Sequence, residues 1–212
     1  YSLGLFLAQY LCNGFNVADA GRLTYSQYYF DTERRAFKFN RKKTSDRSED
    51  GSEVIVPIIE PLQKILDEIA AKPEKDKRVF PRILEDATTE KAIRARTSDE
   101  NSNIQDRVIK ICKEALGWEV RPSGTWCRHS FATNLTHAGV EKKYITESMG
   151  HSTGHSITDL YIANYPLERQ FEYNNKLLNL GEETGLTLDK ISKMSGKEAK
   201  ELLMQLLLKG QK

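Results

Sequence analysis

Arg128-His129-Ser130-Phe131-Ala132-Thr133, followed by Gly150-His151-Ser152 and then by Tyr161, is the stretch on which the reading of this chain turns. Phe131, Leu135 and Ala138 recur at three- and four-residue steps, the period of a helix with one inward face, and Gly139 sits where such a helix stops. A short helix follows over Glu141–Met149. Ser156-Ile157-Thr158-Asp159 has the serine-x-x-acid form of a capping box, so Tyr161 is expected on a helix that begins there. On one straight helix His151 and Tyr161 would lie ~15 Å apart along the axis. Gly154 and the new helix start at Ser156 supply a bend that brings them towards each other.

Upstream, Leu3, Phe6, Leu7, Tyr10 and Leu11 keep helical spacing, with Gly14 as the stop, and a second short helix is expected over Val17–Leu23. The period then changes. In Ala36–Lys43 the side chains of Phe37, Phe39, Arg41 and Lys43 share one face of a strand, because side chains alternate every residue. Tyr28–Phe30 reads as its partner across a turn at Thr32–Arg34, and Glu53–Ile58 as a third strand, with Pro57 placing it at a sheet edge or end. Pro61 opens a helix whose stripe is Leu62, Ile65, Leu66 and Ile69. Lys72–Lys77 is a charged linker, and residues 86 to 101 carry no period that places them. Ile104, Val108, Ile111 and Ala115 mark a helix ended by Gly117. Ser195-Gly196-Lys197-Glu198 is a second capping box, opening a helix with Leu202, Leu203, Leu206 and Leu207 on one stripe. The expected architecture is mainly α with a small three-stranded antiparallel sheet: a domain over residues 1–175 and a helical tail over 176–212. That tail either folds back on its own domain or docks on a neighbouring protomer.

The chain has 212 residues, of which 39% are hydrophobic, enough to bury a core. It begins at Tyr1 rather than Met, as a fragment of a longer protein would, and no apolar run approaches the ~20 residues needed to span a membrane. Cys12, Cys112 and Cys127 are odd in number and far apart, which fits reduced thiols in a cytoplasmic protein better than a disulfide framework. Net charge is only +2, but Arg34, Arg35, Lys38, Arg41, Lys42, Lys43 and Arg47 crowd into one segment, which reads as a solvated face or a nucleic-acid contact. Trp118 and Trp126 are expected in the core rather than as platforms for bases, and His129 and His137 as structural or surface residues.

The chemistry of these residue types is that of a phosphodiester. Its charge repels a nucleophile and the alkoxide it releases is unstable, so fixed cations around the phosphoryl oxygens and a proton donor at the leaving group both help. An arginine fork binds two phosphate oxygens and keeps its charge. A tyrosine nucleophile conserves the bond energy as a phosphotyrosyl ester, so rejoining needs neither a metal nor ATP.

In this order the residues resemble the tyrosine recombinases, the integrase-type enzymes. Arg128–Thr133 is similar to the family's second box, Gly150-His151-Ser152 to its third, and Tyr161 falls at the nucleophile. Arg41-Lys42-Lys43-Thr44 resembles the family's hairpin lysine element, and Asn13-Gly14-Phe15-Asn16 with Asp19 its first box. The resemblance implies Tyr161, Arg128, His151, Lys43 and Arg41 as catalytic residues, and Arg41, Lys42, Lys43 and Arg128 as DNA contacts. It further implies double-stranded DNA as partner, a homo-oligomeric, tetrameric synapse, and DNA-binding domains upstream. Two positions depart from the pattern. Asn16 stands where the first box has an arginine, and Thr125 where the second has a histidine. Arg41, on the strand face of Lys43, is the expected substitute for the missing arginine. The competing readings are a DNA-binding relative impaired by Asn16 and Thr125, and a helical interaction domain in which the motif is structural.

Overall fold

The computed structural model of the chain describes residues 1–41, 52–151, 165–178, 187, 190 and 193–209. At its centre lies α1 (Ser2–Leu11), with nine of its ten residues buried. Its sequence is apolar around nearly the whole circumference, as befits a helix enclosed by others. Those neighbours are α4 (Glu60–Ile69), α6 (Glu90–Leu116), α7 (Gly124–His137) and α10 (Gly196–Lys209). After α1 the backbone reverses through Asn13 and Gly14, both left-handed, and enters α2 (Val17–Arg22).

The sheet has two strands among the described residues rather than three. In it β1 (Ala36–Arg41) pairs antiparallel with β2 (Ser52–Pro57), Ala36 opposite Pro57 and Arg41 opposite Ser52. Pro57 therefore ends the ladder, where its missing N–H does no harm. The expected strand over Tyr28–Phe30 is instead helix α3 (Gln27–Asp31). Local bonds decide this. The Thr32 and Arg34 amides donate back to the Tyr28 and Tyr29 carbonyls, and Glu33 and Arg34 turn the chain in left-handed conformations. Tyr29 alone is buried, its ring stacked on Phe37 of β1 at 5.3 Å. A strand and a single helical turn both bury one aromatic of three, so the side chains could not tell them apart. The only other pairing among the described residues is an isolated bridge between Thr24 and Arg78.

Short α5 (Pro81–Leu84) leads into the 27-residue α6, which occupies the stretch that has no readable period. From Glu90 to Asn103 Ile93 is the one buried residue, so that half of the helix has no apolar stripe to betray it. Thr89 caps it, its hydroxyl accepting from the Ala92 amide, and Gly117 ends it at φ 66°. α7 starts at Gly124, a turn before Arg128, and Phe131 and Leu135 point inward. α8 (Lys142–Ser148), α9 (Leu167–Asn175) and a 3-10 turn (Lys176–Leu178) follow. Trp118 and Trp126 are half-buried against the core.

In α10 the Ser195 box forms: the Ser195 hydroxyl accepts from the Glu198 amide, and the Glu198 carboxylate accepts from the Ser195 amide and hydroxyl. Leu203, Met204, Leu206 and Leu207 are buried against α1, α4 and α7. The Ser130 hydroxyl donates to the Leu207 carbonyl and the Asn134 amide to that of Leu206. The tail helix thus folds back on its own domain.

Candidate functional site

Three segments far apart in sequence meet at one carbonyl oxygen. Arg41 at the end of β1 donates from Nη1 to the oxygen of Met149, and Arg128 on α7 donates to the same oxygen from Nη2 at 2.9 Å. Met149 is the C-cap of α8, so its carbonyl lies at the negative end of that helix, a place where cations are favoured. Arg128 also donates from Nη1 to the Gly14 carbonyl at 3.1 Å, and its Nη2 lies 2.6 Å from Nε2 of His151. A guanidinium only donates, so this imidazole nitrogen accepts and carries no proton in the contact.

Two glycines make the approach possible. A Cβ on Gly14 would sit 2.8 Å from the Arg128 Cα, and one on Gly150 3.0 Å from the Arg41 Cδ; both glycines have φ +66°. The loop that carries Gly14 is pinned by Asn13, whose amide donates to the Ile55 carbonyl of β2 at 2.9 Å and accepts from Asn174 of α9 at 2.9 Å.

Asn16, where an arginine is expected from the resemblance, caps α2. Its side-chain oxygen accepts from the Asp19 amide at 2.8 Å, and the Asp19 carboxylate accepts from the Asn16 amide at 3.3 Å. That carboxylate pairs with Nε of Arg41 at 3.2 Å. Burial pushes the Asp19 carboxyl up from its ordinary range, and Arg41, the Asn16 amide and Arg128 pull it back. Arg128 is pushed down to about 10 by burial and by the Arg41 charge, with Asp19 acting the other way.

Of the residues singled out in the sequence, Arg41, Arg128 and His151 are brought together. Lys42, Lys43 and Tyr161 lie outside the described residues. Thr125 is exposed in the first turn of α7. Tyr165, four residues beyond Tyr161 and so a second candidate nucleophile, has its hydroxyl donating to Glu141 at 2.9 Å and its ring packed edge-on to Tyr144. Glu141 is the N-cap of α8 and Met149 its C-cap, about 12 Å apart at helical rise. Burial, then Glu141, raise the Tyr165 phenol above its ordinary value, the opposite of what a nucleophile needs. Among the described residues of the basic run, Arg35 pairs with Glu168 and Lys38 with Glu53, each at 2.8 Å.

Sequence reasoning missed the Met149 carbonyl, a backbone atom with no side-chain signature. The link between Asp19 and Arg41 was missed too, although an asparagine three residues before an acid has the spacing of a helix cap. Among the described residues no cluster of three or more His, Cys, Asp or Glu side chains is arranged to hold a metal ion.

The fold is thus a mainly helical domain with a small sheet, in which two arginines share one carbonyl oxygen and a histidine sits against one of them. Residues 5–168 match the phage integrase family, and the chain belongs to that family. Membership implies DNA binding and a part in site-specific DNA recombination. Comparison with curated proteins and with solved structures gives no match. Among the described residues no helix is long and apolar enough to cross a membrane.

Proposed function

We propose that this is a catalytically active tyrosine recombinase that cuts and rejoins double-stranded DNA. The Tyr161 hydroxyl attacks the scissile phosphorus, losing its proton as a 3′-phosphotyrosyl bond forms and the bond to the 5′ oxygen breaks. Lys43 gives that oxygen its proton. Arg41, Arg128 and His151 hold the phosphoryl oxygens, whose negative charge is concentrated in the transition state. A 5′ hydroxyl from a second strand then attacks the phosphotyrosyl ester and releases Tyr161, so each bond broken is replaced by one of similar energy. On this reading the protein works as a homo-oligomer on paired DNA sites, with no cofactor.

The observation that carries the reading is the convergence of Arg41 and Arg128 on the Met149 oxygen, with His151 at Arg128. It supplies two guanidinium charges despite Asn16. The competing reading, a DNA-binding relative without activity, draws on Thr125, which brings no charge where the resemblance implies a histidine.

The test is covalent trapping on nicked DNA substrates that release the 5′ oxygen irreversibly. Wild-type protein should form a complex that survives denaturation, and Tyr161→Phe should form none while binding DNA as before. Trapping lost in Tyr165→Phe but kept in Tyr161→Phe would move the nucleophile. DNA binding with no trapping by the wild type would favour the inactive relative.

A further inference from the structure

Asp19, only 6% exposed, meets the inner nitrogen of Arg41, Nε, rather than the outer ones. We propose that Asp19 is the positioning residue for Arg41: with the Asn16 cap it fixes the plane of the relocated guanidinium that meets the phosphate. The proposal rests on the reading of Arg41 as a phosphate-binding residue.

Three observations carry it. The carboxylate is itself immobilised, because its amide and its side chain are both tied to Asn16, at 2.8 and 3.3 Å, in a reciprocal box. It then meets Nε of Arg41 at 3.2 Å while the Met149 carbonyl takes Nη1. Two contacts at two nitrogens of a rigid planar fork set both its plane and the direction of the third nitrogen, Nη2, which on this proposal meets a phosphoryl oxygen. Asp19 also lies close enough to offset the repulsion between Arg41 and Arg128, two like charges on one carbonyl. Asn16 matters for what it is not. An arginine there would compete for the same carboxylate, whereas asparagine caps α2 and leaves the carboxylate to Arg41.

The test uses the full chain and its nicked DNA substrate. Asp19→Asn keeps the shape but removes the charge from the one oxygen that Asn16 and Arg41 share, and unchanged thermal melting checks that it folds. At saturating DNA it should slow covalent attachment by about tenfold to a hundredfold, the scale of a small misplacement of a reacting group, with DNA affinity nearly unchanged. Asp19→Glu should recover part of the loss. In an Arg41→Ala background Asp19→Asn should cost nothing further, because two residues acting through one group are not additive. Wild-type attachment by Asp19→Asn, or a full additive loss in the double variant, would overturn the proposal.

A second readout needs no activity. In nitrogen-15 spectra of the arginine side chains, the Arg41 Nε–H signal, identified by its loss in Arg41→Ala, should shift or broaden in Asp19→Asn. A signal that stays in place overturns the proposal even if the protein proves inactive. Normal attachment by Arg41→Ala would instead overturn the role given to Arg41, and the Asp19 proposal with it.

Discussion

Arg41 and Arg128 are an unusual pairing at the level of single residues, since one comes from a strand and the other from a helix, and both turn to the same backbone oxygen. If Arg41 acts on the phosphate, its removal takes away one strong donor, worth roughly 2.7–4 kcal/mol in the transition state. Arg41→Ala should then slow single-turnover attachment by about a hundredfold to a thousandfold. Attachment at the wild-type rate would sink the assignment. The partnership was half legible in the sequence. Strand alternation put Arg41 on the face of Phe37 and Phe39, and the box around Arg128 announced its chemistry. What joins the two arginines is a peptide carbonyl, and every residue has one of those.

At the scale of elements, the joint between α8 and α9 is a carboxylate held by two phenols. Glu141 accepts from Tyr165 and from Tyr173, and these bonds, Tyr173 first, hold its carboxyl below the ordinary range. A depressed carboxylate stabilises the fold above its unfolded pKa and loses that contribution as pH falls through the lower, folded value. Stability should therefore fall on acidification below the ordinary glutamate range, and Glu141→Gln should flatten that part of the curve. Denaturant midpoints measured from pH 7 down to pH 3 will show it, and parallel curves for the two proteins would count against the joint. Element boundaries were readable where a chemical stop existed, as at Gly117, Gly139 and the Ser195 box. They failed where burial is sparse. The first half of α6 buries only Ile93, and α3 buries only Tyr29, so neither left a period to read.

For the whole molecule, the decisive contacts join distant parts of the chain. The Tyr10 hydroxyl bonds the Leu177 carbonyl, Asn174 bonds Asn13, and Ser130 and Asn134 reach the end of α10. Deleting residues 193–212 would uncover α1 and α7 and strip Ser130 and Asn134 of these partners. The truncated protein should melt at a markedly lower temperature and lose covalent attachment as well as any joining of paired sites. A truncated protein that melts like the full chain would show that α10 is dispensable for the fold. The placement of α1 has a further consequence, for biosynthesis. This helix is apolar on nearly every side, yet α10, one of the helices that enclose it, begins only at Gly196, far downstream. At about 5–20 residues per second, translation from α1 to α10 takes on the order of 10–40 s. Throughout that interval the nascent chain displays an oily segment with no completed place to go, so its yield in the cell will depend on chaperones that shelter it.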